Sequence, residues 1–409
     1  MQVWCGVDWA ERHHDVALVD DSGNVLIRAR IGDDAAGFRR LLELLAEHAE
    51  GSDEPIPVAI ETVQGLLPAS LRAAGVQLYA INPLSVSRYR DRHAPSRSKS
   101  DAADAVVLAN ILRTDRNSHR PAPADTELAQ AIRVLARAQQ DAVWDQQQTA
   151  SKLRSLLRQY FPSFLTTFPD LTTMGARSTL QLAPSPAEAA KLRSASVAAA
   201  LRRGGRKRSV QDEANRIVAG LRQEQLRQPR QVEAAMAKQA LAYARALHTH
   251  AENVDALEKA MTEAFEQHPD ARIITSFPGL GTVLGARLLA EIGDDRERFA
   301  TARGLKAFAG TAPVTRASGQ KTVVTMRVVR NKRLNHAAFL WALPLILHSP
   351  PAREHYQRRR SQGDSHSAAS RNLTNRHVGM LYHCLQSREL YDAGKAYPAG
   401  NRASSMTAA

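Results

Sequence analysis

Four acidic residues within the first 104 positions have the types and spacing that metal-assisted phosphoryl chemistry requires. Asp8 ends the apolar run Val3-Trp4-Cys5-Gly6-Val7, and Glu61 ends a second run, Val58-Ala59-Ile60. Asp101 and Asp104 open a helical segment, three residues apart and so on one helical face. If the two runs are neighbouring strands and the helix crosses their ends, the four carboxylates converge. Gathered without a cation they would repel one another and favour protonation. A divalent ion reverses that penalty, and hard carboxylate oxygens suit Mg²⁺ or Mn²⁺. Two such ions clamp the attacking and leaving oxygens of an in-line displacement at phosphorus. Each acid also has a plainer role: Asp101 complements a helix dipole, and a strand-end carboxylate is otherwise simply solvated.

A basic segment leads into that helix, running from Arg88 to Lys99. As a loop beside the acids, its Arg88, Arg90, Arg92, Arg97 and Lys99 suit phosphate contacts, and Tyr89 suits stacking. The alternative is a solvated loop.

Two further patterns lie in the C-terminal third. Residues Ile273 to Ala286 look like a helix-hairpin-helix motif, with Phe277-Pro278-Gly279-Leu280-Gly281 joining the two helices. A turn through Gly279 and Gly281 leaves backbone N–H groups at the start of the second helix, suited to phosphate; a plain αα-corner is the other reading. Ser318 follows, in Thr315-Arg316-Ala317-Ser318-Gly319-Gln320-Lys321. A loop serine beside a glycine approaches a phosphate closely, and Arg316 and Lys321 could stabilise developing charge. Ser-Gly is also an ordinary turn, and spacing alone leaves both readings open.

The elements that must hold these residues are legible from periodicity. Val3–Val7, Val16–Val19 and Val25–Ile31 read as an antiparallel meander, with Asp21-Ser22-Gly23-Asn24 as its second turn. Phe38, Leu41, Leu42 and Leu45 mark a helix. A strand at 58–60, a helix near 66–74, a strand at 77–81 and a helix at about 101–113 complete the order βββαβαβα. That order predicts a mixed sheet covered by helices over residues 1–120. Residues 127–160 and 230–266 read as long helices of a hairpin or coiled coil within a helical linker, 121–268. Residues 183–210, with the basic cluster Arg202–Arg208, read as an exposed connection. Residues 269–392 read as a mostly helical domain, and 393–409 as a disordered tail. The fold class is therefore α/β plus all-α.

The net charge of +14 attracts a polyanion, and nucleic acid is the commonest such partner. No run of about 18 apolar residues could span a bilayer, so no membrane partner is expected. The N-terminal residues lack a basic segment followed by an apolar stretch, which predicts no signal peptide and a cytoplasmic location. Cys5 and Cys384 by themselves make neither a disulfide framework nor a zinc site.

The acidic and C-terminal patterns together resemble the DEDD-type insertion-sequence transposases, the IS-one-ten family. The likeness runs through Gly6-Val7-Asp8, Ile60-Glu61-Thr62, Lys99-Ser100-Asp101-Ala102-Ala103-Asp104-Ala105, Phe277-Pro278-Gly279-Leu280-Gly281 and Ala309–Gly319. It implies an N-terminal RNase H-like domain of the Holliday-junction-resolvase (RuvC) type, with Asp8, Glu61, Asp101 and Asp104 as Mg²⁺ ligands. It also implies a helical linker and a C-terminal transposase domain whose nucleophile corresponds to Ser318. Members similar to this chain pair a structured bridge RNA with donor and target DNA. They assemble as dimers and tetramers in which different subunits contribute the acids and the serine. Gln320 departs from the commoner Ser-Gly-Lys and moves the lysine to Lys321. The implied activity is strand cleavage and exchange through a phosphoserine; a metal-dependent junction endonuclease without a covalent intermediate is the rival.

Overall fold

The computed structural model describes residues 2–49, 54–93, 101–319 and 321–397 and divides into two compact units, Met1–Ala124 and Asp125–Ala409.

In the first unit β1 (Trp4–Trp9), β2 (His13–Val19) and β3 (Val25–Gly32) form the antiparallel meander. They are followed by α1 (Ala35–Ala49), β4 (Val58–Ile60), α2 (Leu66–Ala73), β5 (Leu78–Ala80), α3 (Pro83–His93) and α4 (Asp101–Asp115). The five strands lie in the order β3-β2-β1-β4-β5, with β4 parallel to β1 and β5 parallel to β4. Strand alternation divides the core in two. Cys5, Val7, Val58 and Ile60 face the layer made by α1 and α2, where Leu41, Leu45, Leu67 and Leu71 are buried. Trp4, Ala59 and Tyr79 face the opposite layer, with Leu108, Ala109 and Leu112 of α4 and Val86 of α3. The first unit is thus the mixed sheet between helices that the order of elements predicts. Its one addition to the expected order is α3: the segment from Arg88 to His93, read as part of a loop, is helical.

The second unit is built on two long helices. α5 (Glu127–Tyr160) is capped by Thr126, whose hydroxyl accepts from the Ala129 N–H. Short helices follow: α6 (Pro162–Thr167), α7 (Met174–Leu182), α8 (Pro186–Ala189), α9 (Ser194–Arg203) and α10 (Val210–Leu221). α11 (Arg230–Glu266) returns along α5. Residues 183–210 are not an exposed connection throughout. Ala189, Leu192, Val197, Ala198 and Leu201 enter one core with Phe161 and Phe164, and also with Leu247 of α11. The apolar periodicity of α9 and α10 outweighs their Ala, Ser and Arg content. Arg202, Arg203, Arg206, Lys207 and Arg208 do remain exposed at the α9–α10 turn.

The remaining helices enclose a second core around Trp341, Phe265, Phe277 and Leu373. They are α12 (Ala271–Thr275), α13 (Thr282–Ile292), α14 (Ala302–Phe308), α15 (Lys332–His348), α16 (Pro350–Ser361), α17 (His366–Ser387) and α18 (Ala393–Ala396). Between α14 and α15 a two-stranded ribbon, β6 (Val314–Ser318) and β7 (Lys321–Thr325), interrupts the helical order. The tail expected from residue 393 begins instead with a helix: Asp392 caps α18, and Arg376 donates to the Ala396 carbonyl. Residues 398–409 lie outside the described residues.

Candidate active-site residues

Register and alternation bring the first two acids together. Val7 of β1 is paired with Ile60 of the parallel β4, so Asp8 and Glu61 come next in register at the carboxyl ends of adjacent strands. Gly6 and Ala59 face α4, and residues two further along a strand return to the same face. Asp8 and Glu61 are each half-buried there.

Gly6 sets the height of the helix above the strand. A β-carbon built on it would overlap the Ala105 carbonyl oxygen and lie 2.6 Å from the Ala109 nitrogen. Further along α4, the Arg113 guanidinium donates to the Asp21 carbonyl, near the amino end of β1. α4 therefore runs against β1 and presents its first turn, with Asp101 and Asp104, at the end that carries Asp8. The side chain of Asp101 lies outside the described residues.

Asp104 is 5% exposed, and its Oδ1 has no hydrogen-bond partner among the described residues. Arg90 of α3 stands against it, with Nε 3.4 Å from Oδ1. That Nε–H is likewise buried without an acceptor. The basic segment is thus divided: Arg88 and Arg92 point to solvent, whereas Arg90 turns inward to the acid. Arg97 and Lys99 lie outside the described residues.

The surroundings hold two features that spacing did not reveal. Asp15 is the cross-strand partner of Asp8, yet the Arg30 guanidinium donates to both its oxygens at 3.0 and 2.9 Å. This partner offsets the repulsion of two opposed carboxylates. Trp9 is 45% exposed and stacks on buried His14, which the Ala10 N–H and Asp33 hold from either side. An exposed indole next to an acidic residue is a platform on which a base can stack; the sequence signal was the Asp8-Trp9 pair itself.

A buried carboxylate oxygen with no hydrogen-bond partner among the described residues is a donor of the hard kind that a divalent cation takes. Asp8, Glu61, Asp101 and Asp104 are the residues that would hold it. Among the described side chains, no group of three or more His, Cys, Asp or Glu lies close enough to hold a metal ion.

Ser318 belongs to the second unit and ends β6, so it is a strand residue and not a loop residue. The register sets Lys321 opposite it, and the side chain of Lys321 lies outside the described residues. Thr315 through Gly319 are all exposed, and Gly319 takes a left-handed φ of 56° that favours glycine. Arg316 is two residues away and shares the ribbon face of Ser318. The base of the ribbon is tied down: the Asn331 N–H donates to the Phe308 carbonyl, and its side chain caps α15 and donates to buried Glu291. Arg137 of α5 donates twice to the same carboxylate.

The turn between α12 and α13 takes the expected form. Gly279 adopts φ 77°, and a β-carbon there would overlap Pro344; its role is close packing. Gly281 has open space around it and precedes α13, whose start has no side-chain cap. Another basic stretch went unremarked in the sequence: Arg358 and Arg360, exposed at the end of α16 within an obvious Arg-Arg-Arg run.

Two family models match the chain. One describes the DEDD transposases of IS110 and covers residues 5–162; the other describes the transposase IS116/IS110/IS902 family and covers 271–357. The Streptomyces coelicolor protein described as "Mini-circle putative transposase for IS117" is 56% identical over 97% of both chains. This chain belongs to the IS116/IS110/IS902 transposase family. The 42 kDa protein of insertion element IS900 from Mycobacterium paratuberculosis is 29% identical, across 95% of this chain and 97% of that one. Among solved structures, T. thermophilus RuvC in complex with Holliday junction substrate matches at 17% identity and TM-score 0.23, covering 30% of this chain and all of that one. The first family model spans all four acids of the transposase, and the second spans Gly279, Gly281, Arg316, Ser318 and Lys321. Among the described residues no helix is long and apolar enough to cross a membrane.

Proposed function

We propose that this transposase cuts and rejoins DNA with two sets of groups. Asp8, Glu61, Asp101 and Asp104 hold Mg²⁺ (or Mn²⁺) and the scissile phosphate, and Ser318 is the nucleophile. The observation that supports the first half is the buried Asp104 carboxylate, whose Oδ1 has no donor among the described residues. The observation that carries the second is the exposure of Ser318 at the end of a ribbon whose base is anchored to the core.

The bound cation would polarise phosphoryl oxygens and neutralise charge that builds on them. The residues do the rest. Ser318 Oγ forms a bond to phosphorus as one phosphorus–sugar oxygen bond breaks, and the released sugar hydroxyl takes up the proton. The phosphoserine conserves the ester, so a second sugar hydroxyl displaces Oγ and rejoins the strand. Arg316 lies where it can stabilise charge on the phosphate. Arg88, Arg92 and the open start of α13 at Gly281 supply backbone contacts to donor and target DNA.

A structured guide RNA and a homodimer that assembles to a tetramer complete the reading. The exposed cluster Arg202–Arg208 supports the RNA partner, although it suits any polynucleotide backbone. The self-association is supported by Phe339, Leu340, Leu343 and Leu347, exposed along one side of α15. The second reading, a metal-dependent endonuclease without a covalent intermediate, is favoured by the completeness of the acidic set, which needs no serine to deliver water.

The deciding experiment is a denaturing gel of the protein with labelled suicide DNA carrying the element ends. It is run in Mg²⁺, with and without RNA transcribed from the flanking sequence. A protease-sensitive adduct that requires Ser318 and RNA is the expected result. Cleavage without an adduct would establish the endonuclease and leave Ser318 as the last residue of β6 with no part in the chemistry.

A further inference from the structure

Arg90 and Asp104 face each other across the α3–α4 contact in an arrangement that satisfies neither. Their closest atoms, Nε and Oδ1, are 3.4 Å apart, near enough for an ion pair but without a hydrogen bond. Both atoms are buried, and neither has another hydrogen-bond partner among the described residues. The carboxylate side chain is 7% exposed and the guanidinium 24%. A charge-assisted pair at its best is shorter, and Arg–carboxylate pairs are often bidentate, as Arg30 is on Asp15. The Arg90 contact therefore supplies positive charge to Asp104 without saturating it.

We infer that Arg90 is the resident counter-ion of the acidic site, and that a divalent cation must displace it from Asp104. The inference rests on the metal-site reading proposed above. Both cations would draw on the one Asp104 carboxylate, and two positive charges held against it repel each other. Each therefore weakens the other's binding by the same factor. Once displaced, the guanidinium has its Nε–H free for the acceptor it now lacks, and a phosphate oxygen is the acceptor that a DNA substrate would bring. Metal and substrate then enter together: the carboxylate passes to the metal and the arginine to the phosphate. Arg88 and Arg92, on the exposed side of α3, have no such partner exchange to make.

The test is Mn²⁺ binding followed by electron paramagnetic resonance, on full-length protein without nucleic acid. Arg90→Gln is expected to bind Mn²⁺ roughly tenfold more tightly than the parent protein, within the usual range of such couplings. Arg90→Lys, which keeps the charge, should stay close to the parent. Asp104→Asn should weaken binding. A residue with only a structural role would, on removal, lower metal affinity and not raise it. Thermal melts check that each variant folds; should Arg90→Gln fail, Arg90→Met fills similar space without charge and carries the same comparison. If removing the charge leaves Mn²⁺ affinity unchanged or lower while Asp104→Asn weakens it, the counter-ion role is overturned and the metal site stands. If no variant of Asp8, Glu61 or Asp104 alters Mn²⁺ binding, the metal site itself falls, and the inference falls with it.

Discussion

Gly6 and Ala105 meet backbone to backbone: a single methyl group on Gly6 would overlap the Ala105 carbonyl oxygen. The absence of a side chain at one strand position is what allows α4 to lie directly against β1. Gly6→Ala should therefore raise the helix and carry Asp104 away from the strand ends. Overpacking of this kind typically costs about 1–3 kcal/mol. We expect a lower melting temperature together with loss of Mg²⁺-dependent cleavage. Full activity in a folded Gly6→Ala protein would show that the α4–β1 contact does not position the acids.

The ribbon serine makes the opposite kind of prediction. Ser318 is exposed, and among the described residues its side chain has no hydrogen-bond partner, so Ser318→Ala should melt with the parent, within about 0.5 kcal/mol. DNA binding should persist while the covalent adduct and strand exchange disappear. Retained recombination by the alanine variant would remove the serine from the mechanism.

Glu291 anchors the base of that ribbon from the core. Burial pushes its carboxyl up, but hydrogen bonds from Arg137 and Asn331 outweigh burial and hold it below the ordinary value. An acid held low stabilises the fold above its unfolded value, and that contribution is lost as pH falls through the folded value. Arg137→Met removes the partner that donates twice, at 2.7 and 2.8 Å. Stranding a buried carboxylate should cost about 3 kcal/mol, toward the low end for buried pairs because Arg137 is one-third exposed. Denaturant titration measures it; a cost below about 1 kcal/mol would mean that Asn331 alone suffices.

His377 gives the C-terminal core its own pH response. It is fully buried among Trp341, Tyr391 and Tyr397, and burial lowers its pKa from 6.5 to about 4. Its Nδ1 meets the Leu373 carbonyl at 3.0 Å, which places the proton of the neutral ring on that nitrogen. Between those two values the unfolded chain takes up a proton that the folded chain refuses. Stability should thus fall as pH drops from about 6.5 toward 4, by at most roughly 3 kcal/mol. His377→Phe, which keeps an aromatic ring in the cluster, should flatten melting temperature against pH in that window. An unchanged slope would place the acid sensitivity elsewhere.

Much of the first unit was legible because its signals are local. The runs ending at Asp8 and Glu61 are short, apolar and bounded by turn residues, and all five strands and the helices at 35–49, 66–73 and 101–115 follow from such runs. The long helices α5 and α11 were equally plain, since their apolar spacing persists over many turns without Gly or Pro to interrupt it. Residues 183–210 were misread because composition rich in Ala, Ser and Arg resembles a linker, whereas packing against Phe161 and Phe164 needs only a few apolar positions. Ser318 read as a loop residue because Ser-Gly marks a turn, and the turn is only the end of a ribbon.

The sequence by itself determined the chemistry: which acids end strands, which pair shares a helix face, and that a serine lies among cations beside a glycine. Residue type and short-range period are properties of the chain, so no fold was needed to read them. Only the tertiary structure decided the partners. Arg90 and Arg92 are indistinguishable in a basic run, yet one turns to Asp104 and the other to solvent, because helix α3 gives them opposite faces. Asp15 is as acidic as Asp8, and only the β2–β3 pairing supplies the arginine that neutralises it. Contacts between residues far apart in sequence carry no local signature, and those contacts decide which carboxylate an arginine neutralises.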